Sequence, residues 1–329
     1  MTHAATHAQD GHAHSDHDHS HHGHGHGHGY GHHHSHAPAS FNRAFAIGIG
    51  LNIAYVIGEA AFGVMANSLA LLSDAGHNLG DVLALGLAWM ASLMARKAPS
   101  ARYTYGLRGS SILAALSNAV ILLVVTGGIA WAAILRLLNP EPSAGITVMV
   151  VAAVGVAVNG VTAWMFASGR KGDVNVRAAF MHMASDALVA AGVVAAGAVI
   201  WFTHWMWLDP AVSLVIGAII VLGTWSLLRE SLDLALAAVP AGVDRAAVGA
   251  YLAGLPGVAE VHDLHIWGMS TTETALTAHL VRPGAAVDDT LIHEVCLELK
   301  TRFNVHHSTL QVEAGALDHP CHLADEAVV

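Results

Sequence analysis

Six long apolar segments follow one another along the first two thirds of the chain, separated by short polar links. They lie near residues 41–65, 70–95, 111–138, 145–168, 177–202 and 210–229. As an α-helix, each is long enough to cross a hydrocarbon core about 30 Å thick. The pattern therefore predicts an α-helical membrane protein with six transmembrane helices, in a domain that spans residues 41–231.

The cations between the segments predict how the helices are oriented. Those cations are Arg96, Lys97, Arg102 and Arg108 in the second link, Arg170, Lys171 and Arg177 in the fourth, and Arg229 at the end of the sixth segment. Because basic links stay on the cytoplasmic side, both termini are expected in the cytoplasm. Arg136, beside an external link, is an exception. Short links and an opening stretch without an apolar signal core favour a bacterial inner membrane.

The pattern changes after about residue 231. A helical period in DRAAVGAYLAGL is followed by strand patterns in VAEVHDLHIWGM and ETALTAHLV, an amphipathic helix in DTLIHEVCLELKTRF and a strand in HSTLQVEA. This αββαβ order predicts a small sheet with helices on one face, over residues 232–317, followed by a flexible tail at 318–329. From Asp244 onward, the chain has twelve acidic residues and only four basic ones, and this acidic composition favours a cytoplasmic location.

The first 40 residues are dominated by histidine. Fifteen of the 26 histidines lie within the first 36 residues, alternating with Gly, Ser and Asp. Without apolar residues to bury, this segment is expected to be a disordered cytoplasmic tail that captures metal at low affinity. A purification tag and a dispensable extension are the alternatives.

Composition narrows the class of protein. Of all residues 54% are hydrophobic and only 12% are charged, whereas soluble domains carry about a quarter charged residues. The formal net charge of −10 argues against a nucleic-acid partner. Two cysteines, Cys296 and Cys321, provide no disulfide framework.

Two pairs of ionisable residues interrupt the second and fifth segments. His77 and Asp81 are four residues apart in SDAGHNLGD, and His182 and Asp186 are four apart in HMASD. Each pair lies on one helix face. If the pairs face each other, two imidazole nitrogens and two carboxylate oxygens form a set suited to tetrahedral zinc. The structural alternative is a His–Asp hydrogen bond within each pair.

Other polar residues in the segments have less certain roles. Asp74, three residues before His77, is expected either to support the metal ligands from outside or to cap a helix turn. Asp209 precedes Pro210 and is expected to cap the N-terminus of its own helix.

The sequence resembles the cation diffusion facilitators, a family of zinc transporters. The likeness rests on SDAGHNLGD and HMASD, on YTYGLRGSSILAAL and DPAVSLVIG, and on VHDLHIW and HHSTLQVE, and it covers roughly residues 41–315. It implies a homodimeric exchanger that moves a divalent metal out of the cytoplasm against protons. It also implies that His77, Asp81, His182 and Asp186 are the transport ligands and that the C-terminal domain is metallochaperone-like.

The resemblance also implies a second, regulatory metal site in the C-terminal domain. The matching positions are His262, His279, His293 and Glu313. His265 is expected to be a surface residue. In the tail, His319, Cys321 and His322 form a weaker candidate group. The family members that have an extra site in the first cytoplasmic link carry His and Asp there, and ARYTYGLRGS has neither.

The chemistry of the ligands favours Zn²⁺ as cargo, with Co²⁺, Cd²⁺ or Ni²⁺ as alternatives. Metal binding requires neutral imidazole and ionised carboxylate, and this couples the site to protons. Two other classes compete: an intramembrane zinc metalloenzyme and a membrane-bound metal store. The sequence lacks the HExxH motif of many zinc hydrolases. A store would not need six spans.

Deleting residues 1–36 tests the role of the histidine tail. If the tail concentrates metal near the entrance, the deletion raises the apparent KM for metal more than it lowers the maximal rate. The measurement is initial metal uptake into inverted vesicles over a range of metal concentrations. Unchanged kinetics would favour a dispensable tail.

Overall fold

The computed structural model describes residues 43–167, 174–284 and 289–315, together with residues 321 and 323. The histidine-rich segment 1–40 and the residues His319 and His322 lie outside the described residues, as do Arg170 and Lys171 of the fourth link.

Six helices occupy the predicted apolar segments. They are α1 (Arg43–Met65), α2 (Leu69–Ala95), α3 (Ser110–Leu138), α4 (Gly145–Ala167), α5 (Val174–Thr203) and α6 (Leu208–Ala235). Within the residues that the structure describes, five helices contain stretches long and apolar enough to cross a membrane, and α1 contributes a shorter apolar stretch, Gly50–Met65. The prediction of a helical membrane domain is confirmed. Helix α6 ends at Ala235, six residues past its predicted end.

Glycines allow α4 and α5 to pack with their backbones almost in contact. A Cβ atom added to Gly197 would lie 2.8 Å from the backbone nitrogen of Met149 and 3.1 Å from the carbonyl oxygen of Gly145. A side chain at Gly197 would therefore push the helices apart. Close packing of this kind is typical of small residues in membrane helices. It holds α5, which carries His182 and Asp186, firmly against α4.

The start of α2 is fixed by a carboxylate from α6. Asp209 accepts hydrogen bonds from the Ser68 hydroxyl at 2.5 Å and from the backbone N–H of Leu69 at 2.8 Å. The Ser68 hydroxyl in turn accepts from the backbone N–H of Leu71, as an N-cap does. The expectation that Asp209 caps its own helix is therefore wrong, because its carboxylate reaches the unpaired N–H groups of a neighbouring helix instead.

Arg136, the exception to the charge pattern, belongs to the same arrangement. Its guanidinium lies 3.7 Å from the Asp209 carboxylate and donates to the Asn67 backbone carbonyl at 2.6 Å. A second nitrogen lies 3.5 Å from the Glu141 carboxylate. The positive charge is thus locally compensated, and this explains how it is accommodated beside that link.

The C-terminal domain has the predicted αββαβ order. Its elements are α7 (Arg245–Ala253), β1 (Glu260–Gly268), β2 (Thr274–Val281), α8 (Asp289–Phe303) and β3 (Val305–Glu313). The sheet order is β1-β2-β3, with β1 and β2 antiparallel and β2 and β3 parallel. Its core joins one sheet face to both helices; the buried members include Val248, Leu252, Leu276, Ala278, Leu280, Val295 and Leu299.

Polar contacts connect the C-terminal domain to the link between α2 and α3. Arg108 and Glu273 form an ion pair at 2.6 Å, and the backbone N–H of Thr271 donates to the Ser111 hydroxyl at 3.1 Å. The β1–β2 turn therefore rests against the end of the bundle at which α2 ends and α3 begins.

Replacing Asp209 tests the anchoring of α2. Asp209→Ala leaves N–H groups of the first turn of α2 unpaired and removes one of the two carboxylates near the partly buried Arg136. We expect a loss of about 3–5 kcal/mol, because one partner of a buried pair is removed. Thermal unfolding of the detergent-solubilised protein measures the change. Asp233→Ala, at an exposed position on the same helix, should stay within about 0.5 kcal/mol of the unsubstituted protein. Equal melting temperatures for the two variants would contradict the assignment.

Candidate metal centres

Helices α2 and α5 bring the four predicted transport ligands together. The Nε2 atom of His77 lies 3.3 Å from the Oδ1 atom of Asp186, and the Nε2 atom of His182 lies 3.2 Å from the Oδ2 atom of Asp81. His182 also lies 3.7 Å from the second oxygen of Asp186. Each imidazole therefore lies close to a carboxylate of the opposite helix. We call these four residues the transmembrane cluster.

Three of the four side chains in the transmembrane cluster bring donor atoms close enough to share one ion. One ligand atom each from His77, Asp81 and Asp186 lies within 4.8 Å of the other two. His182 joins them through its distances to both carboxylates. The Oδ2 atoms of Asp81 and Asp186 are buried and have no hydrogen-bond partner, although the imidazoles lie within ion-pair distance. Oxygens with unused lone pairs in an apolar bundle suit a cation.

A second group of buried polar side chains lies beside this cluster, towards α1. The Tyr55 hydroxyl donates to Glu59 at 2.5 Å, and the Asn78 amide donates to the other Glu59 oxygen at 3.4 Å. Asp74 is buried, interacts with Glu59 and retains one unpartnered oxygen. Asp74 therefore belongs to the polar network around Glu59, and it also lies about one helical turn before His77 in α2. Sequence reasoning did not connect Glu59 with Asp74, because nothing in the spacing relates α1 to α2.

The sheet of the C-terminal domain places a second cluster on the face away from its helices. In β2, Leu276, Ala278 and Leu280 point into the core, so His279 points to the opposite face. His262 of β1 pairs directly with His279 across the strands. A bulge between His262 and His265 keeps both of these histidines on this face, and Asp263 within it has a positive φ of 52°.

Four residues approach one another on this face. The Nδ1 atom of His279 lies 3.0 Å from the Glu313 carboxylate and 3.6 Å from the Cys321 sulfur. The Nε2 atom of His262 lies 3.6 Å from the same Glu313 oxygen. One ligand atom from each of the four lies within 4.8 Å of the others. We call His262, His279, Glu313 and Cys321 the C-terminal cluster.

Asp263 orients part of this cluster and was not predicted as a site residue. Its carboxylate lies 3.4 Å from the Nε2 atom of His279 and 2.8 Å from the Nε2 atom of His265. When His279 donates to Asp263 through Nε2, its Nδ1 lone pair is left free for the cluster. The bulge that positions Asp263 has no clear sequence pattern, so the role could be found only in the structure.

The remaining predicted ligand, His293, lies apart from the cluster. It is exposed on α8, and α8 packs against the other face of the sheet through Val295 and Leu299. Within one chain, the structure therefore brings together three of the four predicted residues. Cys321, assigned from sequence to a separate tail group, lies beside them instead.

Replacing one carboxylate tests the transmembrane cluster. Asp186→Asn removes an anionic ligand from the cluster, and we expect zinc affinity to fall by more than about 100-fold, since loss of an outer partner alone costs about 10–100-fold. Competition with a chromophoric chelator measures this on solubilised protein that lacks residues 1–36 and carries His279→Ala. In the same background, Asp233→Asn should bind normally. Unchanged affinity in Asp186→Asn would exclude it as a ligand.

Comparison with known proteins identifies the family. The chain matches the cation efflux transmembrane domain over residues 45–234 and the cytoplasmic domain of cation efflux proteins over residues 240–315. It is 37% identical to the metal cation efflux system protein CzcD of Cupriavidus metallidurans over 286 residues, 87% of this chain and 89% of the relative.

Two further relatives also match most of the chain. The zinc transporter ZitB of Escherichia coli is 32% identical over 285 residues, 86% of this chain and 90% of the relative. A cadmium, cobalt and zinc/H(+)-K(+) antiporter of Bacillus subtilis is 32% identical over 275 residues, 80% of this chain and 86% of the relative. The metalloenzyme hypothesis is thereby set aside. With the transmembrane cluster placed inside the matched domain, the chain belongs to the cation diffusion facilitator family and is a multi-pass membrane transporter for the efflux of divalent metal cations.

Proposed function

We propose that this protein exports Zn²⁺ from the cytoplasm in exchange for protons, and that the transmembrane cluster is its transport site. The observation that carries the proposal is the convergence of two imidazoles and two carboxylates from α2 and α5. Two nitrogen and two oxygen donors suit Zn²⁺ and also accept Co²⁺ or Cd²⁺, whereas Mg²⁺ prefers oxygen alone. Co²⁺, Cd²⁺ or Ni²⁺ as the main cargo is the alternative.

The same atoms that bind the metal also bind protons. His77 and His182 must be neutral at Nε2 to coordinate an ion, and Asp81 and Asp186 must be ionised. Metal entry therefore releases protons, and protonation of these groups favours metal release. Such competition at one site is sufficient for antiport if the site opens alternately to the two sides. The name of the Bacillus subtilis relative, which includes H(+), supports this direction of coupling.

The two α5 side chains of the transmembrane cluster differ in burial. The side chain of His182 is 37% exposed and that of Asp186 only 2%. Seven residues further along, Val193 is fully buried in an apolar cluster with Leu71, Val148 and Ile216. On this basis, the proposed entry route for metal is from the end of the bundle that carries the C-terminal domain. With that domain in the cytoplasm, the structure would represent a state that loads metal from inside.

The C-terminal domain is proposed to regulate transport in a homodimer in the bacterial inner membrane. The matched domain and the acidic composition support a cytoplasmic location. The carboxylates of Glu313 and Asp263 lie next to buried histidines. Metal bound to the C-terminal cluster would neutralise their negative charge. The effect of metal binding on the helix bundle would be transmitted through the ion pair of Glu273 and Arg108, which connects the β1–β2 turn to the α2–α3 link.

Metal flux in sealed inverted vesicles tests the transport proposal. We expect Zn²⁺ uptake that depends on an inwardly acidic proton gradient and that is abolished by His182→Ala or Asp186→Ala. Collapse of the gradient with a protonophore should stop net accumulation. Competition by Co²⁺, Cd²⁺ and Ni²⁺ in the same assay ranks the cargo.

The matched control is His204→Asn. His204 is exposed after the end of α5 and has a positive φ of 55°, which Asn tolerates. This variant should transport zinc at the unsubstituted rate. Zinc uptake that persists in His182→Ala, or that is indifferent to the proton gradient, would contradict the proposed mechanism.

A further inference from the structure

We propose that Cys321 completes the C-terminal cluster as a thiolate ligand, so that His262, His279, Glu313 and Cys321 of one chain form a four-ligand site for a soft or borderline divalent cation. The inference deepens the regulatory part of the proposed function. It assigns a chemical role to a residue that follows the last strand and that the sequence placed in an independent tail group.

The first argument is the position of the sulfur. The Sγ atom of Cys321 lies 3.6 Å from the Nδ1 atom of His279, although 42 residues separate them in the chain. That nitrogen also lies 3.0 Å from Glu313, so the thiol and the carboxylate approach the same lone pair. Three donors that converge on one point are typical of a coordination site, because a single hydrogen bond would need only two of them.

The second argument is an unsatisfied buried group. Both ring nitrogens of His262 are buried and have no hydrogen-bond partner, and the residue is only 7% exposed. Its ring lies 5.1 Å from that of His279, edge to face. Buried polar atoms without partners are uncommon in folded proteins. An ion shared with His279 would use a His262 nitrogen and remove the cost of burying it.

The third argument is that neighbouring residues contact the ligands and hold them in position. The Asp263 carboxylate lies 3.4 Å from the Nε2 atom of His279, and Gln311 donates to the Glu313 oxygen at 2.9 Å. Such outer contacts orient the ligands of metal sites. Two histidines, a carboxylate and a thiolate are four ligands, the number found in closed tetrahedral zinc sites.

The thiolate distinguishes this site chemically from the transmembrane cluster. Cys321 must lose its proton to coordinate, so metal binding releases it to solvent. Sulfur ligands favour Zn²⁺ and Cd²⁺ over harder ions, whereas the transmembrane cluster offers only nitrogen and oxygen. We therefore expect the C-terminal site to prefer Cd²⁺ more strongly than the transport site does.

Ultraviolet absorption of the full-length protein titrated with Cd²⁺ tests the inference, because a Cd–thiolate bond gives a charge-transfer band that nitrogen and oxygen ligands do not. The chain has only two cysteines, and residues 1–36 contain none. We expect the band in the unsubstituted protein and in Cys296→Ser, and its loss in Cys321→Ser. It should also be lost, or appear only at about tenfold higher Cd²⁺ or more, in His279→Ala.

Failure of this inference can be distinguished from failure of the proposed transport function. The band should persist in the His182→Ala/Asp186→Ala variant, which has no functional transport site. A band that survives Cys321→Ser, or its absence from the unsubstituted protein, would overturn the role of Cys321 and leave the transport proposal untouched. A band that survives in His279→Ala at unchanged Cd²⁺ concentration would show a thiol binding metal outside this cluster, and would also overturn it.

Discussion

The free-energy cost of burying ionisable side chains in an apolar helix bundle is the main constraint on this structure. A charged side chain at membrane depth costs several kcal/mol, and such groups persist where they pair or bind an ion. Here four of them meet, with two carboxylate oxygens left without hydrogen bonds. In the proposed mechanism, a dication shared among the four offsets that cost, and protons take its place on the same atoms. Binding and exchange thus follow from one requirement for charge compensation.

The remainder of the membrane domain holds the two helices that supply those groups. Asp209 of α6 secures the start of α2, and the contact between Gly145 and Gly197 seats α5 against α4. Beyond the ligands, Leu71, Val148, Val193 and Ile216 form a buried apolar cluster that joins four of the helices. These contacts fix the positions of the two helices that supply the ligands.

Local patterns in the sequence were sufficient to predict the helices, the αββαβ order and the two His–Asp pairs. The pairs could be predicted because a spacing of four residues fixes a shared helix face, whatever the helix packs against. Contacts between distant segments could not be predicted in this way. The Asp209 carboxylate pairs with N–H groups about 140 residues away, and Asp263 depends on a strand bulge. Cys321 follows the last strand, and its proximity to His279 arises only when β2 and the chain end meet.

The central claim, that His77, Asp81, His182 and Asp186 hold a single ion, is tested most directly by anomalous X-ray scattering from crystals of the zinc-loaded protein. The account predicts one zinc peak between α2 and α5, about 2.0–2.2 Å from a donor atom of each of the four side chains. A peak coordinated from one helix alone, or no zinc at this position in fully loaded crystals, would contradict it.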